Sequence, residues 1–163
     1  MTATEQFIDV LGSLKTGELG LLRAHAGQEL DESVVAFDLF AGLWWPLRQR
    51  NQRAPRREVA WLIAKLFALH PLPHSPGDTL ARQLRHCQPK EEAGRRRYQD
   101  RFDEMLALPV ARIESALQWA LGQVSSKSPS LDWVRLTDEL SIWHREDTRL
   151  KWAEQFLGNV EGR

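Results

Sequence analysis

Cysteine is almost absent from this chain of 163 residues, in which Cys87 is the single one. One thiol cannot form an intramolecular disulfide, and the same count excludes a zinc site with four thiolate ligands. The sequence therefore predicts a fold held together by its hydrophobic core, in a reducing compartment such as the cytoplasm.

Long apolar segments are also missing. No run approaches the ~20 apolar residues that a transmembrane helix needs. Residues 1–11 are polar and acidic, without the basic and apolar regions of a secretory signal. We therefore expect a cytoplasmic protein that has no membrane partner.

The chain has no net charge, because 22 Lys and Arg residues balance 22 Asp and Glu residues. The balance hides an uneven distribution along the sequence. Residues 1–45 carry 2 basic and 7 acidic side chains, residues 46–101 carry 13 and 5, and residues 102–163 carry 7 and 10. Most of the basic residues, 17 of 22, are arginine, whose planar guanidinium binds phosphate bidentately. The basic middle block therefore favours an anionic partner.

No run of strictly alternating polar and apolar residues is long enough for a β-strand. Apolar residues recur instead every three to four positions, as they do in helices. The strongest of these helical patterns runs from Val59 to Leu69. The sequence therefore predicts an all-α fold. N-caps are expected at Thr4, at Asp31 or Ser33 and at Thr79, and a C-cap at Gly158.

An arginine-rich loop is predicted after the third helix. Residues 44–46, Trp-Trp-Pro, should end that helix, because proline interrupts a helix interior. Residues 48–57 then hold five arginines without apolar periodicity. Pro55 is expected in the first turn of the following helix. The charge of this loop should face solvent or a ligand.

A second polar segment, residues 88–94, is the best candidate for a boundary between two lobes. It divides the chain into an N-terminal helical bundle, residues 1–88, and a C-terminal helical bundle, residues 89–163. The expected architecture is thus two small packed helical bundles.

Spacings typical of catalytic or metal sites are missing. His70 and His74 are four residues apart, but Pro71 and Pro73 prevent a helix from placing both rings on one face. No nucleophile motif and no phosphate-binding glycine-rich loop occurs. We expect no metal, no cofactor and no catalytic residue, and hence a protein that is not an enzyme.

The chain contains seven tryptophans. Trp44 and Trp45 lie beside the arginine-rich loop and are the two for which exposure is left open, as platforms for single-stranded bases. The other five lie among apolar helical positions and are expected in the core, where an aromatic ring buries a large area. They are Trp61, Trp119, Trp133, Trp143 and Trp152.

The central arginines have two interpretations. Arginines on helices often pair with acids one turn away, and the acidic blocks of the same chain offer further carboxylates. The central block, however, has eight more bases than acids, so local pairing cannot neutralise it. An anionic ligand or the acidic blocks must do so. Charge alone selects Arg50, Arg53, Arg56, Arg57, Arg95, Arg96 and Arg97 as candidates for binding nucleic acid.

A recognisable pattern occupies the C-terminal third: Leu131-Asp132-Trp133, Leu136, Asp138-Glu139-Leu140, Trp143, Arg149, Trp152-Ala153 and Phe156. Leu11 to Arg23, Ile63 to His70, and Gly77 to Arg82 followed by Arg101-Phe102 precede it. These segments resemble, in the same order, those of the CasB family, the small subunits of the type I-E CRISPR Cascade complex. The resemblance covers nearly the whole chain.

The resemblance implies a non-catalytic subunit that holds displaced non-target DNA and braces the heteroduplex between guide RNA and target. The implied partners are guide RNA, target and non-target DNA, the large and backbone subunits of Cascade, and a second copy of the chain. By position, the resemblance points to Arg23, Arg82, Arg101 and Arg145 as nucleic-acid-binding residues.

Two other classes of function stay open on the residues alone. A helical adaptor that binds only proteins would use the acidic blocks and would show no salt-dependent affinity for oligonucleotides. A metal-dependent hydrolase would need a bound metal ion.

Overall fold

The computed structural model describes residues 1–30, 33–127 and 130–158. Within these ranges the fold is all-α, as predicted, and no helix is long and apolar enough to cross a membrane. The helices are α1 (Ala3–Gly12), α2 (Thr16–Ala24), α3 (Val34–Arg50), α4 (Arg57–Leu69), α5 (Leu80–His86), α6 (Glu92–Ala107), α7 (Glu114–Ser125), α8 (Trp133–Ser141) and α9 (Glu146–Leu157). A short 3-10 turn, Val110–Arg112, lies between α6 and α7.

The first helix begins two residues earlier than predicted, because its N-cap is Thr2 rather than Thr4. Thr2 is the N-cap, and its hydroxyl accepts a hydrogen bond from the Glu5 amide while the Glu5 carboxylate accepts one from the Thr2 amide. This capping box satisfies two amide groups at the helix start. Thr4 is buried instead, and its hydroxyl donates to Asp138 at 2.6 Å.

The prediction that residues 44–46 end the third helix is wrong, since α3 continues to Arg50 with Pro46 inside it. Proline in a helix interior removes a hydrogen bond at a cost of about 3 kcal/mol. Packing offsets this cost: Leu47 is buried, and Trp44 Nε1 donates to the Pro55 carbonyl at 2.6 Å. The arginine-rich loop is therefore only residues 51–56.

The predicted position of Pro55 is wrong, and the predicted N-cap Thr79 is confirmed by position only. Pro55 lies before the N-cap Arg56, so it is not in the first turn of α4. Thr79 occupies the N-cap position of α5, but its hydroxyl donates to Gln155 rather than capping the helix. The Ser33 hydroxyl caps α3 as predicted, whereas the alternative Asp31 lies outside the described residues.

Helix α4 is the centre of the fold. Its residues 59–68 are all buried, and α2, α3, α7 and α8 pack around it. A helix that is apolar on every side needs such a position, because each of its faces must be covered. Lys65 is the one charged residue in that stretch and is paired inside the fold with Glu114.

Three tryptophans fill the C-terminal core, as predicted. Trp133, Trp143 and Trp152 are at most 2% exposed. Each indole N–H has an acceptor within 2.8 Å, namely the carbonyls of Leu72 and Leu108 and the carboxylate of Glu139. Buried indoles need such partners. The last helix ends, as predicted, at Gly158, which has the left-handed backbone conformation at φ +80°.

The segment around residue 88 joins α5 to α6. Helix α5 precedes the predicted lobe boundary but packs against α7 and α9, which follow it. The buried apolar side chains form one cluster that includes residues from both sides. The division into residues 1–88 and 89–163 stays a prediction, which separate expression of the two fragments would test.

Candidate nucleic-acid interface

All eleven predicted nucleic-acid-binding arginines are exposed. They fall on five helices and on the connections before α4 and α9. Arg23 lies in the last turn of α2, and Arg50 ends α3. Arg53 and Arg56 lie in the connection to α4, which Arg57 begins. Arg82 lies on α5, Arg145 lies before α9, and α6 carries Arg95, Arg96, Arg97 and Arg101.

One group of arginines lies where the start of α4 approaches the connection between α8 and α9. Arg56 Nη2 lies 3.5 Å from the Ser141 carbonyl, although the two residues are 85 positions apart. Arg145 is the N-cap of α9, and its amide donates to the Ile142 carbonyl. The fold thus brings two of the predicted arginines to one edge of the molecule.

A cleft of about 350 Å³ opens at this edge, lined by Arg56, His144 and Arg149 together with Trp143 and apolar residues of 107–110. Arg149 Nε is buried and has no hydrogen-bond partner among the described residues. A buried donor without an acceptor is costly, so an anionic group that entered the cleft would gain a hydrogen bond. Charge reasoning missed His144 and Arg149 here, although Arg149 belongs to the C-terminal sequence pattern.

The run 95–97 does not form one surface. Successive helix residues are rotated by about 100°, so three neighbouring side chains point in three directions. Arg95 Nε contacts the Pro89 carbonyl at 3.3 Å, and Arg96 pairs with Glu92 at 3.6 Å. Only Arg97 shares its side of α6 with Arg101, which lies one turn further on.

Arg101 contacts an aromatic ring. Its guanidinium carbon lies 4.7 Å from the ring centroid of Trp119 on α7. Trp119 is half-buried, so its assignment to the core was wrong in part. A signal was present: Trp119 is two residues, or about 200° of helix rotation, from the buried Leu117.

The remaining arginines lie apart from these groups. Arg23 Nε donates to the Ala68 carbonyl at 3.1 Å, near the end of α4 opposite to Arg56. Since α4 has 13 residues, its two ends are separated by about 18 Å. Arg82 contacts the Gly77 carbonyl at 3.4 Å. Hydrogen bonds from Ser130 and Ser75 lower the pKa of Asp78, and the positive charge of Arg82 lowers it further.

The acidic blocks do little to neutralise these side chains. The ion pairs of Arg56 and Arg96 are with Glu58 and Glu92, which belong to the basic block itself. Eight of the eleven arginines have no carboxylate oxygen within 4.0 Å across residues 1–30, 33–127 and 130–158. They are Arg23, Arg50, Arg53, Arg82, Arg95, Arg97, Arg101 and Arg145. The guanidinium groups of these eight arginines therefore remain available for an anionic ligand.

Among the described residues, no three His, Cys, Asp or Glu side chains are placed to hold one metal ion. Cys87 is buried, and burial raises the pKa of its thiol, which disfavours the reactive thiolate.

Comparison with known proteins identifies the family. A family model described as CRISPR-associated protein Cse2 matches residues 18–157, most of the chain. The chain belongs to the Cse2 family. The predicted membership of the CasB family is thereby confirmed, because solved structures similar to this Cse2-family chain are named either Cse2 or CasB.

The relatives agree on family and fold. A curated Cse2 protein from Thermus thermophilus is 29% identical over 114 residues, which are 69% of this chain and 63% of that relative. The alignment thus spans less than two thirds of the relative. The crystal structure of CasB from Thermus thermophilus matches with a TM-score of 0.70 and 25% identity, covering 97% of this chain and 99% of that one. CasB from M. ruber, 21% identical, shares the fold with a TM-score of 0.73 over 98% of this chain and 95% of that one.

Proposed function

We propose that this Cse2-family chain is a non-catalytic subunit of a type I-E CRISPR Cascade complex. It holds the displaced non-target DNA strand and braces the heteroduplex of guide RNA and target DNA. Its other partners are the large and backbone subunits and a second copy of itself. The family match supports the place in a CRISPR system.

The observation that carries the proposal is the set of eight exposed arginines that have no carboxylate partner among the described residues. Arg97 and Arg101 share one side of α6, and Arg101 is poised over Trp119. Arginines bind the phosphate backbone without reading sequence, as a subunit that meets any target must. R-loop formation is nearly balanced in free energy, so modest contacts to the displaced strand can favour it.

The eleven arginines take different parts in this proposal. Arg97 and Arg101, with Arg82 on the preceding helix, are proposed to follow the strand along α5 and α6. Arg56, Arg57 and Arg145 are proposed to bind phosphate at the edge where α4 and α9 begin. Arg23, Arg50, Arg53, Arg95 and Arg96 are proposed as outer contacts.

A helical adaptor that binds only proteins is the second candidate. An apolar outer face on α3 favours it: Val34 is 78%, Phe37 40% and Trp45 50% exposed. These three residues lie at spacings of three and eight along the helix, so they share its outward side. Such a face fits a protein contact.

Reconstitution distinguishes the two candidates. The chain is expressed with guide RNA and the other Cascade subunits, and R-loops are formed with and without it. We expect the chain to co-purify with the guide RNA complex and to protect the displaced strand from permanganate oxidation. Its omission should shorten the lifetime of the R-loop. If the chain co-purifies but its omission changes neither the protection of the displaced strand nor the lifetime of the R-loop, the proposal is overturned and the adaptor function remains.

A further inference from the structure

The contact between Arg101 and Trp119 has a feature that simple phosphate binding does not need. The indole supports the guanidinium from one side, at 4.7 Å, while Arg101 remains exposed. Arginine is weakly hydrated and its plane stacks on aromatic surfaces. The pair therefore presents a flat, cationic surface rather than a mobile point charge.

The indole is held in place before any ligand binds. The Tyr98 ring packs against Trp119 with centroids 5.2 Å apart and planes at 61°. Tyr98 is itself fixed, since its hydroxyl donates to the Leu84 carbonyl at 2.6 Å and its ring stacks on Phe156. A surface that is already ordered loses little conformational entropy on binding.

The indole N–H of Trp119 is also free for a ligand. Within the described ranges, Trp44, Trp61, Trp133, Trp143 and Trp152 each donate their indole N–H to a protein acceptor. Trp119 makes no such bond with the residues that the structure describes, and its indole nitrogen is not fully buried. A donor beside a stacking surface suits a polar, planar ligand.

The surroundings favour an anionic chain. Arg97, one turn before Arg101, adds a second exposed guanidinium. No acidic residue occurs from Ser115 to Lys127, the rest of α7 and the two residues after it. The neighbouring acids Asp100 and Glu104 lie on α6, and neither forms an ion pair with Arg101 within 4.0 Å. A planar base attached to a phosphate backbone matches this combination of surface and charge.

We propose that Arg101 and Trp119 form a stacking platform for an unpaired base of single-stranded DNA. The inference rests on the proposed function and adds the chemistry that distinguishes a displaced strand from duplex. Bases in a duplex have both faces covered by their neighbours, whereas a base of the displaced strand can expose one face for stacking. Stacking on protein aromatics tolerates any base, because each base has a π-face.

The test compares an oligothymidine with an abasic strand of equal length, using fluorescence anisotropy. Both strands carry the same phosphates, but only the first has bases to stack. Stacking contributes about 1–3 kcal/mol per base, so the protein should bind oligothymidine roughly fivefold or more tightly. Trp119→Leu should remove this preference without changing the salt dependence, because it removes no charge.

Three further variants sharpen the result. Arg101→Lys keeps the charge and loses the plane, so it should reduce the preference and retain the salt dependence. Trp119→Phe keeps an aromatic face and the packing against Tyr98, and it should restore part of the preference. Arg112→Lys, at an exposed arginine outside the predicted set, is the matched control for Arg101→Lys and should change nothing.

The outcomes separate this inference from the proposed function. Equal, salt-dependent binding of both strands, or a preference that survives Trp119→Leu, would overturn the platform and leave the phosphate contacts intact. Absence of salt-dependent binding to either strand would overturn both. Circular dichroism of each variant checks that the helices are retained.

Discussion

Lys65 Nζ lies 2.7 Å from Glu114 Oε1, in an ion pair that joins α4 to α7 across the basic and acidic blocks of the chain. Lys65 is 3% exposed and also donates to the Gln28 carbonyl. The second oxygen of Glu114 accepts from the Gly27 amide at 2.7 Å. This pair, in which Lys65 is buried and Glu114 is partly exposed, thus ties the connection after α2 to two helices of the core.

Breaking this pair should destabilise the protein strongly. Glu114→Gln leaves the Lys65 ammonium buried without a counter-charge, and an unpaired buried charge costs about 3–5 kcal/mol. Urea denaturation measures the loss. Lys65→Met combined with Glu114→Gln should cost less than the sum of the single variants, because neither charge is then left alone. Additive effects would mean that the two residues do not act as a pair.

The three buried tryptophans give a second prediction about stability. Trp143→Ala removes a ring that is 2% exposed and packs edge-on against Trp152 at 4.8 Å. Loss of a buried aromatic side chain costs about 3–5 kcal/mol, a large share of the stability of a domain. Thermal denaturation should show a clear fall in Tm. Trp45→Ala, at a half-exposed tryptophan, is the control and should leave Tm nearly unchanged.

Asp138 predicts how stability depends on pH. Partial burial of the carboxyl against Thr4 raises the pKa of Asp138, although the residue as a whole is exposed; the hydrogen bond from Thr4 lowers this pKa, and Asp132 and Glu5 raise it. The folded state therefore holds this proton at a higher pH than the unfolded state does. The carboxylate destabilises the fold at neutral pH, and that penalty is relieved as the pH falls through the folded-state pKa.

Asp138→Asn should consequently stabilise the protein at pH 7, since the amide oxygen still accepts the Thr4 hydrogen bond and the charge is gone. The gain should shrink at pH values below the raised pKa, where the native carboxyl is already protonated. Urea denaturation of both proteins across this pH range measures the difference. A gain that is independent of pH would contradict the assigned cause.

The helical periodicity made most of the fold predictable. Helix α4 and the core positions of Trp133, Trp143 and Trp152 follow from apolar spacing, because buried faces repeat with the helix. The continuation of α3 through Pro46 was not predictable in this way. It depends on Trp44 reaching the Pro55 carbonyl and on burial of Leu47, which are tertiary contacts.

For the candidate interface, the sequence predicted which residues take part but not how they are grouped in space. Local charge identified the arginines, but their grouping depends on how distant segments pack. Arg56 meets the carbonyl of Ser141, and Arg101 meets Trp119 on the next helix. Conversely, neighbours in sequence such as Arg95 and Arg96 point to different sides of α6.

The central claim is that exposed arginines of the middle block bind the nucleic-acid backbone. Arg82, Arg97 and Arg101 are replaced together by alanine, and affinity for a random-sequence single strand is measured by anisotropy across salt concentrations. Each phosphate contact on a single strand contributes about 0.7 to the slope of log affinity against log salt. Three lost contacts should therefore flatten the slope by about 2.

A control removes three positive charges from outside the predicted set, Arg112, Arg135 and Lys151, which are exposed. It should leave the slope nearly unchanged, and circular dichroism should show that both triple variants keep their helices. A flattened slope in the first variant alone, with the fold intact, is the result that this account predicts. An unchanged slope accompanied by a destabilised protein would contradict it, because these arginines would then serve the fold rather than a nucleic acid.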